Sequence, residues 1–417
     1  MVGVSEAKAD GEAWEILAAL MNDDEAKRRP APLYARLHSL GDRFRMPNGT
    51  TLVAGHHAVT ELLRSPAFIR GSAQGAYRPA FSRTTQAQND ELAALGSDVG
   101  AALTVLDPPD HTRLRVLVQR AFVPRYVRTL EDAIPQVIDE LLDEIDPTVP
   151  VDIVPAFASR FAPAIMAHLI GLPADRINEV ATLSAIFMRG VDPGTDFETQ
   201  RASVIAGRAK RDIVRAVMAD RRANPRDDFV NALVEAIPES LSDAECVSLL
   251  QIMYLGGYET TSHMIGNGLV RLMRNPDQLA LLAADPALIP GAVEEMLRMD
   301  SAIQLTKVIA SEGASLLGEA TGPGDVFMGL FGAANRDPRV YPDPDRFNVQ
   351  RKGRAHLAFG GGLHYCLGVN LARFELERVF AAFIARFPRM QLADPDPPRL
   401  ISFMQRAYRS VPVVLAP

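Results

Sequence analysis

Three groups of residues have the types and spacing to do chemistry. The first surrounds Cys366. Gly360, Gly361 and Gly362 precede it, His364 stands two residues before it, and a helical pattern opens after Gly368. Three residues without a Cβ permit a tight turn and let another surface come close. A thiolate at a helix entrance is stabilised by backbone N–H groups and by the positive end of the dipole, so the sulfur can sit as an anion facing something large and flat. A glycine-rich loop capped by a buried cysteine is the plainer alternative. The second group is Glu259-Thr260 within LLQIMYLGGYETTSHMIGNG, residues 249–268. A carboxylate and a hydroxyl are poor choices for packing a greasy helix, but they can move a proton. Gly256 and Gly257 just before them cost about 1 kcal/mol each relative to Ala, which invites a reason such as close approach of a flat group. A kinked core helix with Thr260 bonded back to a carbonyl explains the same residues without chemistry. The third group is His111 and Arg115, four apart after the helix-start signal Asp107-Pro108-Pro109. Their side chains point the same way and suit a pair of carboxylates; an exposed basic helix face is the alternative.

Helices must position these groups. Apolar residues three and four apart predict helices over 129–146, 199–221, 243–274 and 366–387. Strand-like stretches are few and short: Phe44–Pro47 with Thr51–Ala54, Lys307–Ala310, Val326–Leu330 and Val411–Leu415. No internal repeat or Ser/Gly/Pro-rich linker divides the chain, so one large, mainly α domain with small β pieces is expected over 14–417, after a loose segment 1–13. Residues 69–104 and 334–365 are irregular, and long irregular stretches in a compact domain are often functional.

Composition sets the outer limits. The 417 residues are 47% hydrophobic and 23% charged, with a net charge of −7. So much apolar side chain excludes disorder as the main state, and the negative charge argues against a generally basic nucleic-acid binder. No apolar run of membrane-spanning length and no secretory signal are present, so a cytosolic protein without a membrane anchor is expected. Cys246 and Cys366 are too few for a disulfide framework or a four-thiolate zinc site, and Cys246 reads as a small buried hydrophobe.

The string Phe359-Gly360-Gly361-Gly362-Leu363-His364-Tyr365-Cys366-Leu367-Gly368 resembles the heme-thiolate loop of the cytochrome P-450 family. A chance match is on the order of 10⁻⁵ per chain of this length. The resemblance runs over about residues 14–416. It implies a single large helical cytochrome P-450-type domain with small β-sheet regions, and heme b (iron protoporphyrin IX) as cofactor. Cys366 would be the axial iron ligand, within a loop framed by Phe359 and Gly368. His364, His111 and Arg115 would hold the heme propionates. Gly256, Gly257, Glu259, Thr260 and Thr261 match the oxygen-activating helix, with Gly257 beside the heme, Thr260 bonded to dioxygen and Glu259 relaying protons. Glu295 and Arg298, three apart, match a buried structural pair, which Arg346 would complete. Many members present an Arg to a propionate from the strand at Lys307-Val308; here Val308 takes its position beside Lys307, so either the register slips by one or that ion pair is absent. Family contact regions fall on apolar residues, among them Ala76, Ala80, Phe81, Phe187, Met253, Ala302, Ile303, Phe403 and Met404, and imply an apolar, middle-sized substrate. Terpenoid, steroid-like, polyketide-type and fatty compounds all fit. The implied activity is monooxygenation, by hydroxylation or epoxidation. Alternatives are a heme-thiolate enzyme that uses peroxide or rearranges its substrate, and a heme-binding protein without turnover. No dinucleotide fingerprint and no reductase-sized remainder are present, so electrons would come from a separate ferredoxin and its reductase. Arg113, Arg120, Arg351, Lys352, Arg354 and Arg373 would steer that acidic partner to the cysteine side.

Overall fold

Apolar spacings of three and four residues turn most of the chain into helix, and the β-branched runs supply short strands at its edges. In the computed structural model, residues 6–71, 84–96, 102–121, 124–237, 239–353 and 355–415 are described. In chain order these form α1 (Glu6–Asn22), α2 (Asp24–Arg28), α3 (Ala31–Leu40), β1 (Arg43–Arg45), β2 (Thr51–Val53), α4 (His56–Arg64) and β3 (Phe68–Ile69). There follow α5 (Gln86–Leu95), α6 (Asp110–Ala121), α7 (Pro124–Asp143), β4 (Val151–Asp152), α8 (Ser159–Ile170), α9 (Ile177–Arg189), α10 (Phe197–Ala223), α11 (Phe229–Glu235) and α12 (Asp243–Met273). The remainder comprises α13 (Pro276–Ala284), α14 (Ile289–Met299), β5 (Leu305–Ala310), β6 (Ser315–Leu316), β7 (Glu319–Ala320), β8 (Val326–Leu330), α15 (Phe331–Ala334), α16 (Val369–Arg386), β9 (Gln391–Leu392) and β10 (Pro412–Val414). The fold is mainly α with small sheets, as expected. Among the described residues, no helix is long and apolar enough to cross a membrane.

Two compact units are present. The first comprises Met1–Arg70, Pro147–Ile153 and His263–Pro417. Its five-stranded sheet has the order β1-β2-β8-β5-β3, with β2 and β8 parallel and the other pairs antiparallel. Val59 and Leu62 of α4 pack on Phe68, Val308 and Phe327 of this sheet. A second sheet has the order β4-β10-β9. The helix α1 starts at Glu6, inside the stretch expected to be loose, because Ala9, Ala13, Ile16, Leu17 and Leu20 line one buried face. The second unit comprises Gly71–Asp146 and Val154–Ser262. It is helical, with α9 packed along α10 and α7 against α8. The helix α12 is continuous from Asp243 to Met273.

Candidate active site

The cysteine loop is built by glycine stereochemistry. Gly360 and Gly362 adopt φ of +68° and +61°, a region that costs other residues energy. A Cβ on Gly362 would collide with the carbonyl oxygen of Leu63, at the end of α4. The turn therefore lies directly on α4 backbone, which only glycine allows. Cys366 donates its N–H to the Phe359 carbonyl at 3.0 Å and closes the loop on itself. Its thiol is in no disulfide and is half-buried. Side chains alternate along the turn: Leu363 and Tyr365 are exposed, whereas His364 and Cys366 are half-buried. Gly368 caps α16 two residues later, and Ala372 donates to its carbonyl at 2.9 Å. Phe359, the first residue of the motif, lies under the Arg373 guanidinium of α16 at 5.1 Å. Arg373 in turn holds Glu294 of α14 at 2.7 and 2.8 Å. Burial works against the ionised Glu294, but hydrogen bonds and charge from His356 and Arg373 outweigh it and lower its pKa to about 2.

A buried ion-pair network anchors the start of the same loop. Arg298 binds Glu295 through two hydrogen bonds, at 2.7 and 2.9 Å, and donates to the Asn335 carbonyl at 2.8 Å. The third member is Arg351, whose Nε reaches Glu295 at 2.9 Å. Arg346, expected in that role, is exposed and contributes its carbonyl to Arg351 at 2.8 Å. The two arginines stand five positions apart, and it is the Arg351 side chain that turns inward. Asn335 is fully buried and accepts the Leu357 N–H at 2.7 Å, which ties the loop to the network. Its amide becomes an anchor only through this tertiary contact. Arg351 and Arg373, expected in a basic surface patch, use their charge on Glu295 and Glu294. The side chains of Arg120 and Arg354 lie outside the described residues.

Strand β5 shows why the expected propionate Arg is missing. It pairs with β8 in register from Leu305 to Ile309, which leaves no slip. Val308 faces the apolar cluster under α4. Arg70, at the end of β3, donates instead to Thr306 Oγ1 at 2.6 Å and to the Lys307 carbonyl at 2.8 Å. The segments around Ala302 and Gln405 pair as well: Gln304 donates to Met404 at 2.8 Å and Arg406 to Ala302 at 2.9 Å. This pairing brings Ala302, Ile303, Phe403 and Met404 together. Ile303 and Met404 are half-buried, whereas Phe403 is buried and faces Leu20, Pro30 and Tyr34.

The second unit holds the remaining groups. On α6, His111, Leu114, Arg115 and Val118 recur at helical spacing on one covered face, and His111 is only 1% exposed. Arg113 points elsewhere, to Glu245 and to the Ser240 carbonyl. On α12, Met253, Gly256, Gly257 and Thr260 form a partly exposed stripe, and Tyr258, Glu259 and Thr261 are buried beside it. Thr260 donates to the Gly256 carbonyl at 2.7 Å. Gly256 has open space where a Cβ would stand, whereas a Cβ on Gly257 would collide with Met166 of α8. Gly257, expected beside the cofactor, packs closely against Met166 within this unit, and Gly256 has open space beside it. Phe187 of α9 is half-buried against Gly207 of α10. Cys246 is buried, and desolvation raises its thiol pKa to about 12, which makes it inert. Ala76, Ala80 and Phe81 lie outside the described residues.

A thiol in no disulfide on a glycine turn, with an imidazole two residues before it, has the chemistry of a heme-thiolate loop. The residues fit that cofactor: the thiol is in no disulfide, and the turn admits no side chain at Gly362. The family model described as Cytochrome P450 matches residues 200–285 and 287–408. Cytochrome P450 107B1 of Saccharopolyspora erythraea is 32% identical over 97% of this chain and 98% of that protein. The 6-deoxyerythronolide B hydroxylase of the same organism is 37% identical, covering 69% of this chain and 70% of that one. Among solved structures, the tirandamycin C-bound P450 monooxygenase TamI superposes with a TM-score of 0.80 at 33% identity, covering 94% of this chain and 99% of that one. The chain belongs to the cytochrome P450 family. It is a heme-thiolate monooxygenase, an oxidoreductase whose cofactor is heme b.

Proposed function

We propose that this monooxygenase inserts one atom of dioxygen into an apolar, middle-sized metabolite of polyketide or related type, by hydroxylation or epoxidation. The activities of its relatives support that class, since one is a 6-deoxyerythronolide B hydroxylase and another binds tirandamycin C. The half-buried, apolar side chains of Phe187, Met253, Ile303 and Met404 agree with it. The observation that carries the reading is the half-buried Cys366, outside any disulfide, on its glycine turn.

In this reading Cys366 binds the heme iron as a thiolate, within a loop framed by Phe359 and Gly368. His111, Arg115 and His364 donate to the propionates. The bound heme supplies the oxygen-reduction and oxygen-transfer chemistry, which consumes two electrons and two protons and releases one oxygen atom as water. The chain's own task is the protons. Glu259 takes them from solvent and passes them towards Thr260, whose hydroxyl proton is held on the Gly256 carbonyl and whose lone pairs remain able to accept. A separate ferredoxin with its reductase supplies the electrons, in the cytoplasm. The first test is the absorption spectrum of the reduced protein under carbon monoxide. A strongly red-shifted main band that is lost in Cys366→His is expected. A band unchanged by that substitution would remove Cys366 as the ligand.

A further inference from the structure

Phe403 borders a small cavity in the first unit, and the polar groups around that cavity are nearly all donors. Lys27 of α2 lines it, and so do Arg399, Gln405 and Arg406 of the C-terminal segment. No Asp or Glu lines it. The neighbouring charges show why positive charge is left over. Asp300 is 3% exposed and has both oxygens in use. Arg271 donates to Oδ2 at 3.0 Å, and Arg406 donates to Oδ1 at 2.5 Å. Arg336, 3.9 Å from the same carboxylate, pairs with Asp345. Arg399 instead lies over the Tyr408 ring at 3.9 Å and gives Nη2 to the Tyr408 hydroxyl at 2.5 Å. A phenol offers an oxygen but no counter-charge. Arg399 Nη1 is buried with no hydrogen-bond partner, and Nε2 of Gln405, a residue 6% exposed, is in the same condition.

The acceptors at the cavity are already committed. Gln304 Oε1 takes the Tyr34 hydroxyl proton at 3.2 Å, and Ser402 Oγ takes the Gln405 N–H at 2.8 Å. Lys27 stands 3.9 Å from Asp24, whose carboxylate is exposed. Burial, together with the charge of Arg406, pushes the Arg399 pKa down to about 9, so the guanidinium is held against its surroundings. Buried donors without acceptors, beside a guanidinium without a carboxylate, are costly, and a single anion relieves both.

We propose that this cavity binds one halide ion, chloride, between Arg399 Nη1 and Gln405 Nε2, with the Lys27 ammonium at its rim. Size selects the ion. The cavity is about 10 Å³, room for the centre of one water-sized sphere, so an organic carboxylate or a phosphate is too large. A water fits by size but brings no charge. The ion links α2 to the C-terminal segment, alongside the direct bond from Arg406 to the Arg28 carbonyl at 3.4 Å.

The test uses the holoenzyme and two readouts. One is thermal unfolding by circular dichroism in sodium chloride against sodium gluconate at equal ionic strength. The other is anomalous scattering from crystals grown in sodium bromide. Chloride should raise the wild-type Tm by about 2 °C and saturate. Arg399→Met should abolish that rise, and Gln405→Met should weaken the chloride midpoint about tenfold. Should Arg399→Met not fold, Gln405→Met decides. Bromide should give an anomalous peak between Arg399 and Gln405. Equal wild-type melts in the two salts overturn the inference, and so does a chloride rise that survives Arg399→Met. A bromide peak without a chloride-dependent melt is binding at crystal concentration only, and overturns it as well. If sodium phosphate at the same ionic strength raises the wild-type Tm beyond chloride, and Arg399→Met removes that rise, the cavity takes an oxyanion and the halide assignment falls.

Discussion

At Gly362 the backbone enters the left-handed region, and the Leu63 carbonyl oxygen occupies the place of a side chain. Gly362→Ala should therefore cost roughly 1–3 kcal/mol, from strain and displaced backbone together. Denaturant melts against Gly368→Ala, where a Cβ meets nothing within 4 Å, provide the measurement and its control. Thr260 poses a different question. Its hydroxyl satisfies the Gly256 carbonyl, a structural use that any helix could make. Thr260→Ala should leave stability nearly unchanged and raise peroxide release, and Thr260→Ser should restore coupling. Equal peroxide yields in all three proteins would reduce the hydroxyl to its structural bond. The motifs around both residues were legible in the sequence because glycine and a paired acid and hydroxyl are costly choices in ordinary packing. The packing role of Gly257 was not legible, since Met166 is distant in the chain and only the fold brings α8 beside α12.

Among the elements, α14 and α16 hold the cysteine loop through charge. Removing one partner of a buried pair leaves an uncompensated ion, which costs about 3–5 kcal/mol. Arg351→Ala should cost less, about 1–3 kcal/mol, because Arg298 still pairs Glu295 while three carbonyls of the preceding loop lose their donor. Arg346→Ala, at an exposed side chain, should stay within about 0.5 kcal/mol. Chemical denaturation of both variants, with heme retention followed in parallel, separates them. The sequence located the Glu295–Arg298 pair through its spacing of three. It misassigned the third member because loop residues carry no periodicity. Helices were legible for the opposite reason: α10 and α12 lie within two residues of their expected limits, and β8 coincides with the expected strand. The two-residue strands β3, β4, β6, β7 and β9 were missed, because pairing partners rather than side-chain pattern define them.

For the whole molecule, acid stability carries a definite sign. Burial lowers the His263 pKa from its ordinary value to about 4. A base whose pKa is depressed on folding stabilises the neutral form, so that stability is complete above the unfolded pKa of about 6.5 and is lost as the pH falls towards 4. Thermal melts from pH 7.5 to 4.5 should show a steeper decline for wild type than for His263→Gln. Parallel curves would assign the acid limb to other groups. Glu294 adds its loss only at much lower pH, since its own pKa lies near 2. The sequence by itself determined the family, the cofactor, the mainly α architecture and the cysteine turn. Each depends on residue type and local spacing, which short-range sterics and helix periodicity translate directly. Tertiary structure alone decided that Arg351 completes the network and that Arg70 meets β5 at Thr306 and Lys307. Those pairings join residues distant in the chain, and their energies come from burial and charge, which exist only once the helices and strands have packed.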